Sequence, residues 1–176
     1  MSAVLAYRET LPLAWRETQA DRLPPFVVEQ NLRVLTAVAT LAERNRVDPD
    51  TPGAAEFERL HHKFDLMIEL LGALVRNTQG LPDAQPLQLS SVGLRWETRE
   101  GLPPVGACLD VSLYLHAGVP LPLRWLGDVV AGEDGIAELR WRAMPEALLS
   151  ALEQHVFVRH RRSVAGARSP AQRGDP

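Results

Sequence analysis

In the stretch FERLHHKFDLMIELLGALVRNT, Phe57 to Thr78, the residues Phe57, Leu60, Phe64, Met67, Leu71, Leu74 and Thr78 alternate steps of three and four. That spacing predicts a helix whose apolar seam lies against another helix. Ile68 and Val75 widen the seam, while Glu56, Glu58, Arg59, Lys63, Asp65 and Glu69 supply the polar faces. Upstream, residues 48–53 (DPDTPG) are turn formers that reverse the chain. Before them, Phe26 to about Arg46 is helical in period, with one apolar line through Val28, Leu32, Leu35, Ala39 and Ala42 and a second through Val27, Asn31, Val34, Val38 and Leu41. An antiparallel hairpin of the two helices uses one stripe on each. The second stripe on each then predicts burial against other chains. The expected interface is Val28, Leu32, Leu35 and Val38 on the first helix and Phe57, Leu60, Phe64, Met67, Leu71 and Leu74 on the second. Four chains would satisfy the double seams better than two.

On either side of these helices the period falls to two. Leu5 to Arg16 reads as a strand in which Pro12 marks an edge or bulge. After Gly80, strands are expected around Leu87–Leu89, Val92–Trp96, Leu109–Leu115, Leu121–Val130 and Ile136–Arg142, the last two joined by a glycine-bearing loop at 131–135. Pro145 then opens a helix with Leu148, Leu152 and Val156 on one face and Arg159, His160, Arg161 and Arg162 at its end. The expected class is α+β: a small antiparallel β-barrel of about six strands, a long inserted coiled-coil helical hairpin and a C-terminal helix. Residues 1–22 and 81–162 make the barrel with its closing helix, 23–80 the hairpin for oligomerisation, and 163–176 a flexible tail.

Composition narrows the function. A formal charge of −3 over 176 residues supplies no general field for DNA or an anionic membrane. The single cysteine, Cys108, can build neither a disulfide framework nor a thiolate cluster. No apolar run reaches the ~18 residues of a membrane span, and no signal peptide is evident, so a cytoplasmic location is expected. Phosphate-loop, nucleophile-elbow, His-Glu-x-x-His and dinucleotide patterns are absent, so neither an enzyme nor a cofactor is expected. His61 and His62 are the most metal-like pair, yet neighbours on a helix diverge by about 100° and share an ion poorly.

One segment is more specific. Gln88-Leu89-Ser90-Ser91-Val92-Gly93-Leu94 resembles the turn of the PilZ domain family, in which aspartate or asparagine, a spaced serine and a glycine precede an apolar strand. Arg8 to Leu13 is similar to that family's first arginine-rich segment and strand, and the strands after residue 94 fall in its order. The inserted helices resemble those of an atypical, oligomer-forming subgroup. The resemblance implies a signalling and interaction protein of the cyclic di-GMP pathway, acting on pilus or motility regulation in a bacterium through a signalling partner. It also implies a ligand set of Arg8, Gln88, Ser90 and Gly93, with Arg159 and Arg162 as possible sources of further phosphate contacts. Two positions depart from the family pattern: Val4 stands where a first arginine would, and Gln88 where the carboxylate or asparagine would. Weak or no direct nucleotide binding is therefore expected, the alternative being a cyclic di-GMP receptor with a reduced site.

Overall fold

The computed structural model describes residues 4–42, 52–98 and 101–168. Its elements are β1 (Ala6–Glu17), α1 (Pro25–Ala42), α2 (Ala54–Gln79), β2 (Ala84–Ser90), β3 (Gly93–Glu97), β4 (Cys108–Leu113), β5 (Leu123–Glu133), β6 (Ile136–Trp141) and α3 (Glu146–Arg168). The strands close into an antiparallel barrel in the order β1-β2-β3-β6-β5-β4. Closure depends on β1, which pairs with β2 over Ala6–Pro12 and with β4 over Leu13–Glu17. Pro12, lacking a backbone N–H, sits where the strand changes partner, and its carbonyl accepts from Tyr114 N at 3.1 Å.

Alternation along each strand sends one set of side chains inward. Leu13, Leu89, Leu94, Trp96, Leu109, Val111, Leu113 and Leu139 are buried in one core. Leu148, Leu152 and Val156 of α3 plug it, each at 0–1% exposure, as their i, i+4 spacing predicts. Full burial of such a side chain contributes about 1.5–3 kcal/mol. The β5–β6 hairpin turns on Asp134 and Gly135, with φ of 51° and 76°. That pair of left-handed residues suits the twist of a two-residue hairpin turn.

The expected fold class is the observed one. The neighbours of α1 differ from those its spacing implied. Instead of spending a stripe on α2, α1 lies on β5 and α3. Val34, Leu35 and Val38 belong to the barrel's core, with Val28 and Leu32 packed at its margin. Leu35 and Val38, expected between chains, are thus closed inside their own chain at 3% and 4% exposure. The cause is Asn31. Residues 123–126 of β5 extend beyond the end of β6; the Leu126 carbonyl still accepts from Arg142 N at 2.9 Å, but the outer backbone groups of Arg124 have no strand partner. Asn31 supplies one: its Nδ2 donates to Arg124 O at 2.6 Å and its Oδ1 accepts from Arg124 N at 2.9 Å. The amide imitates a missing strand and fixes α1 to the barrel.

One boundary also shifts. Residues 163–168, expected in a flexible tail, continue α3. The helical reading of 43–46 and most of the turn segment 48–53 lie outside the described residues, although Gly53, at φ 86°, turns the chain into α2.

Candidate ligand and assembly surfaces

Ser90 ends β2 and Gly93 begins β3, so the motif is a tight hairpin. Ser90 Oγ accepts from Gly93 N and donates to Gly93 O, both at 3.0 Å. Trp141 holds the turn from β6: its backbone N donates to Val92 O at 3.0 Å and its Nε1 to Ser90 O at 3.2 Å. A Cβ on Gly93 would run into the carbonyl oxygen of Leu139 across the strand pair. Serine and glycine at these positions are therefore demanded by the hairpin itself.

Barrel register brings Arg8 opposite Gln88, Gln88 opposite Arg95, and Arg95 opposite Glu138. Arg8 Nε donates to Gln88 Oε1 at 3.4 Å. Beside this row runs a groove of about 300 Å³ whose walls include Val4, Gln88, Ser90, Gly93, Arg95 and Arg140. Arg95 and Arg140 carry no ion pair among the described residues. The motif had not singled out either arginine. Their strand alternation places them on the outer face, and only the closed register carries them to the turn.

Arg159 and Arg162 do not join the groove. Arg159 pairs with Glu9 and lies over the Tyr7 ring, 5.7 Å from its centroid. Arg162 Nη2 donates to the Ala42 carbonyl at 2.6 Å, tying α3 to the end of α1. These arginines belong to a clamp of α3 on β1. In it Tyr7 Oη meets His155 Nε2 at 2.9 Å, and His160 Nδ1 lies 2.7 Å from Ala6 O. Burial, with Arg159 adding to it, lowers the His155 pKa to about 4. Burial and then Glu9 push the Tyr7 phenol above its ordinary value, with Arg159 opposing.

The remaining candidates lie on α2. Phe57, Leu60, Phe64, Met67, Leu71 and Leu74 are each 50–60% exposed, and Leu66 and Leu70 match them. A 26-residue helix is about 39 Å long. Ile68 anchors it to the β4–β5 turn: a Cβ on Gly118 would come within 2.8 Å of Ile68 Cγ2. The face with the heptad seam has no cover among the described residues. The His61 ring lies 5.3 Å from that of Phe57, and no cluster of three metal-ligating side chains occurs among the described residues. No described helix is long and apolar enough to cross a membrane.

A family model described as "Atypical PilZ domain, cyclic di-GMP receptor" matches residues 32–169. Among solved structures, a pathogenic protein from Xanthomonas campestris is similar at 29% identity and a TM-score of 0.67, over 94% of this chain and 93% of its own. That protein is described as a new tetrameric PilZ domain self-assembled via an unusual helical bundle. No curated protein matches. With a closed six-stranded barrel, the Ser90–Gly93 turn and a family match over most of its length, the chain belongs to the atypical PilZ domain family.

Proposed function

We propose that the chain is a non-enzymatic assembly and signalling module of the cyclic di-GMP pathway, in which α2 helices from four copies form a bundle that presents the barrels together. The observation that carries this is the uncovered seam of α2. A large exposed apolar patch on a protein surface marks an interaction site. At ~100° per residue, the exposed Leu66, Leu70, Leu74, Met67, Leu71, Phe64 and Phe57 spread over about half of the helix circumference, which calls for more than one neighbouring helix. The tetrameric helical bundle of the Xanthomonas protein supports the same count. The functional division follows α2 rather than a hairpin of both helices, because α1 is tied to the barrel. A cytoplasmic location and a signalling partner remain part of the proposal. The test is Leu71→Glu, which places a carboxylate in the seam: the chain should dissociate while its far-ultraviolet spectrum stays that of a folded barrel. Unchanged mass would refute the role of α2.

The same proposal holds that cyclic di-GMP binds weakly or not at all. Val4 occupies the position of the first arginine, Arg8 is engaged by Gln88, and Ser90 is engaged by Gly93. Each charge-assisted contact missing from a phosphate site costs about 1.5–3 kcal/mol, or roughly tenfold to a hundredfold in affinity. Direct reception at a reduced site is the second reading, and Arg95 and Arg140 in the groove favour it. Calorimetric titration separates the two. Saturable heat at micromolar cyclic di-GMP, lost in Arg95→Ala, would establish the receptor and displace the first reading.

A further inference from the structure

The end of the barrel beside the Ser90–Gly93 turn carries a run of exposed apolar side chains. Val4, Val92 and Val130 line the groove of about 300 Å³ there, and all three are exposed. Val130 reaches it through a β-bulge: β6 pairs with Val129 and Ala131 and passes over the residue between them. A bulge of this kind re-aims a side chain. The apolar run continues along β5. Gly106 N donates to Val129 O at 2.8 Å and Val129 N to Ala107 O at 3.0 Å, which sets the exposed Val105 beside the bulge. Leu102, also exposed, lies over Gly132, its Cδ2 3.5 Å from where a Cβ at that position would stand.

Cations border the same groove. Arg95 and Arg140 are exposed and have no ion pair among the described residues. Glu138 stands opposite Arg95, whereas Asp128, opposite Arg140, is taken by Arg142. Two cations against one free carboxylate leave this rim positive in a chain whose formal charge is −3. An apolar centre with a charged rim is the anatomy of a protein interface. A phosphate site calls instead for guanidinium groups in pairs, and here Val4 puts an isopropyl group where the family's first arginine would stand.

We propose that this end of the barrel docks an acidic, aliphatic segment of another protein, its apolar side chains on Val4, Val92, Val105 and Val130 and its carboxylates on Arg95 and Arg140. The docking rests on the reading in which the nucleotide binds weakly or not at all, and it gives the signalling partner a place and a chemistry.

The test uses the full chain with methyl-labelled leucine and valine, titrated with three capped pentapeptides: ELVEL, its charge-reversed form KLVKL, and EGSEG, which keeps the acids and lacks the aliphatics. ELVEL should give saturable shifts at Val4, Val92, Val105 and Val130, with half-saturation on the order of 0.1–1 mM for so short a probe. KLVKL and EGSEG should each bind at least about fivefold more weakly. Val92→Asp, at an exposed turn position, should weaken ELVEL about tenfold or more. Should that variant fail to fold, Arg95→Glu serves instead and should weaken it about fivefold. No saturation by ELVEL, equal binding of either control peptide, or shifts confined to Leu70, Leu71 and Leu74 of α2 would each overturn the proposal. Saturation of the same methyls by micromolar cyclic di-GMP would hand the surface to the nucleotide and overturn it as well. Equal half-saturation is expected in the parent and in Leu71→Glu, because the surface lies on a single barrel, so failure of the bundle and failure of this docking are told apart.

Discussion

Replacing Asn31 by leucine tests how α1 is held. The substitution keeps the side chain's branched outline at a fully buried position, since Asn31 is 0% exposed, but removes both bonds to Arg124. The N–H and C=O of Arg124 are then left on a stretch of β5 that β6 does not reach and that α1 covers. A buried backbone group left without a partner costs about 1–3 kcal/mol. Two such groups give roughly 2–6 kcal/mol, offset by the better transfer of leucine into the core, so a net loss of about 2–4 kcal/mol is expected. That is a large share of the ~5–15 kcal/mol by which a domain is stable. Urea unfolding at a single fixed protein concentration measures it, because the midpoint of an assembling protein depends on concentration. A loss under about 0.5 kcal/mol, the scatter of ordinary surface substitutions, would refute the claim that this amide stands in for a strand.

Three further outcomes follow. His155 is neutral in the folded chain, its pKa lowered from 6.5 to about 4. The unfolded chain therefore binds the proton first: stability is complete above about pH 6.5 and falls, by on the order of 3 kcal/mol, as pH drops toward 4. His155→Phe should flatten that part of the pH profile, and an unchanged slope would show that other groups set it. Gly93→Ala should destabilise the barrel by several kcal/mol through its collision with the Leu139 carbonyl, whether or not nucleotide is present; a variant as stable as the parent would return Gly93 to a ligand role. Asp110, 7% exposed, accepts from Arg16, whose side chain is 73% exposed, and from Arg124, 28% exposed; because both guanidinium groups reach water, Asp110→Ala should cost about 1–2 kcal/mol in thermal or urea unfolding.

The sequence made the apolar faces legible but left open what covers them. Leu148, Leu152 and Val156 announce a buried helix face by spacing alone, and so do the alternating positions of β2 to β6. The α1 stripe announces burial equally well, yet nothing in its period distinguishes α2 from β5 as the cover. The deciding residue is Asn31, a polar side chain inside an apolar line, whose meaning depends on a strand end 93 residues away. The Ser90–Gly93 turn was legible as a turn, and its bonds and steric demand are those of the hairpin. Arg95 and Arg140 were invisible as site residues because a strand's outward positions carry no information about which neighbours closure will bring beside them.

The most direct test of the account is the mass of the unmodified chain by light scattering at micromolar concentration. The account predicts four times the 19.5 kDa chain mass, with α2 as the shared element. A dimer would keep the seam and overturn the four-chain count. A stable 19.5 kDa monomer, with the α2 seam left in water, would contradict the central claim.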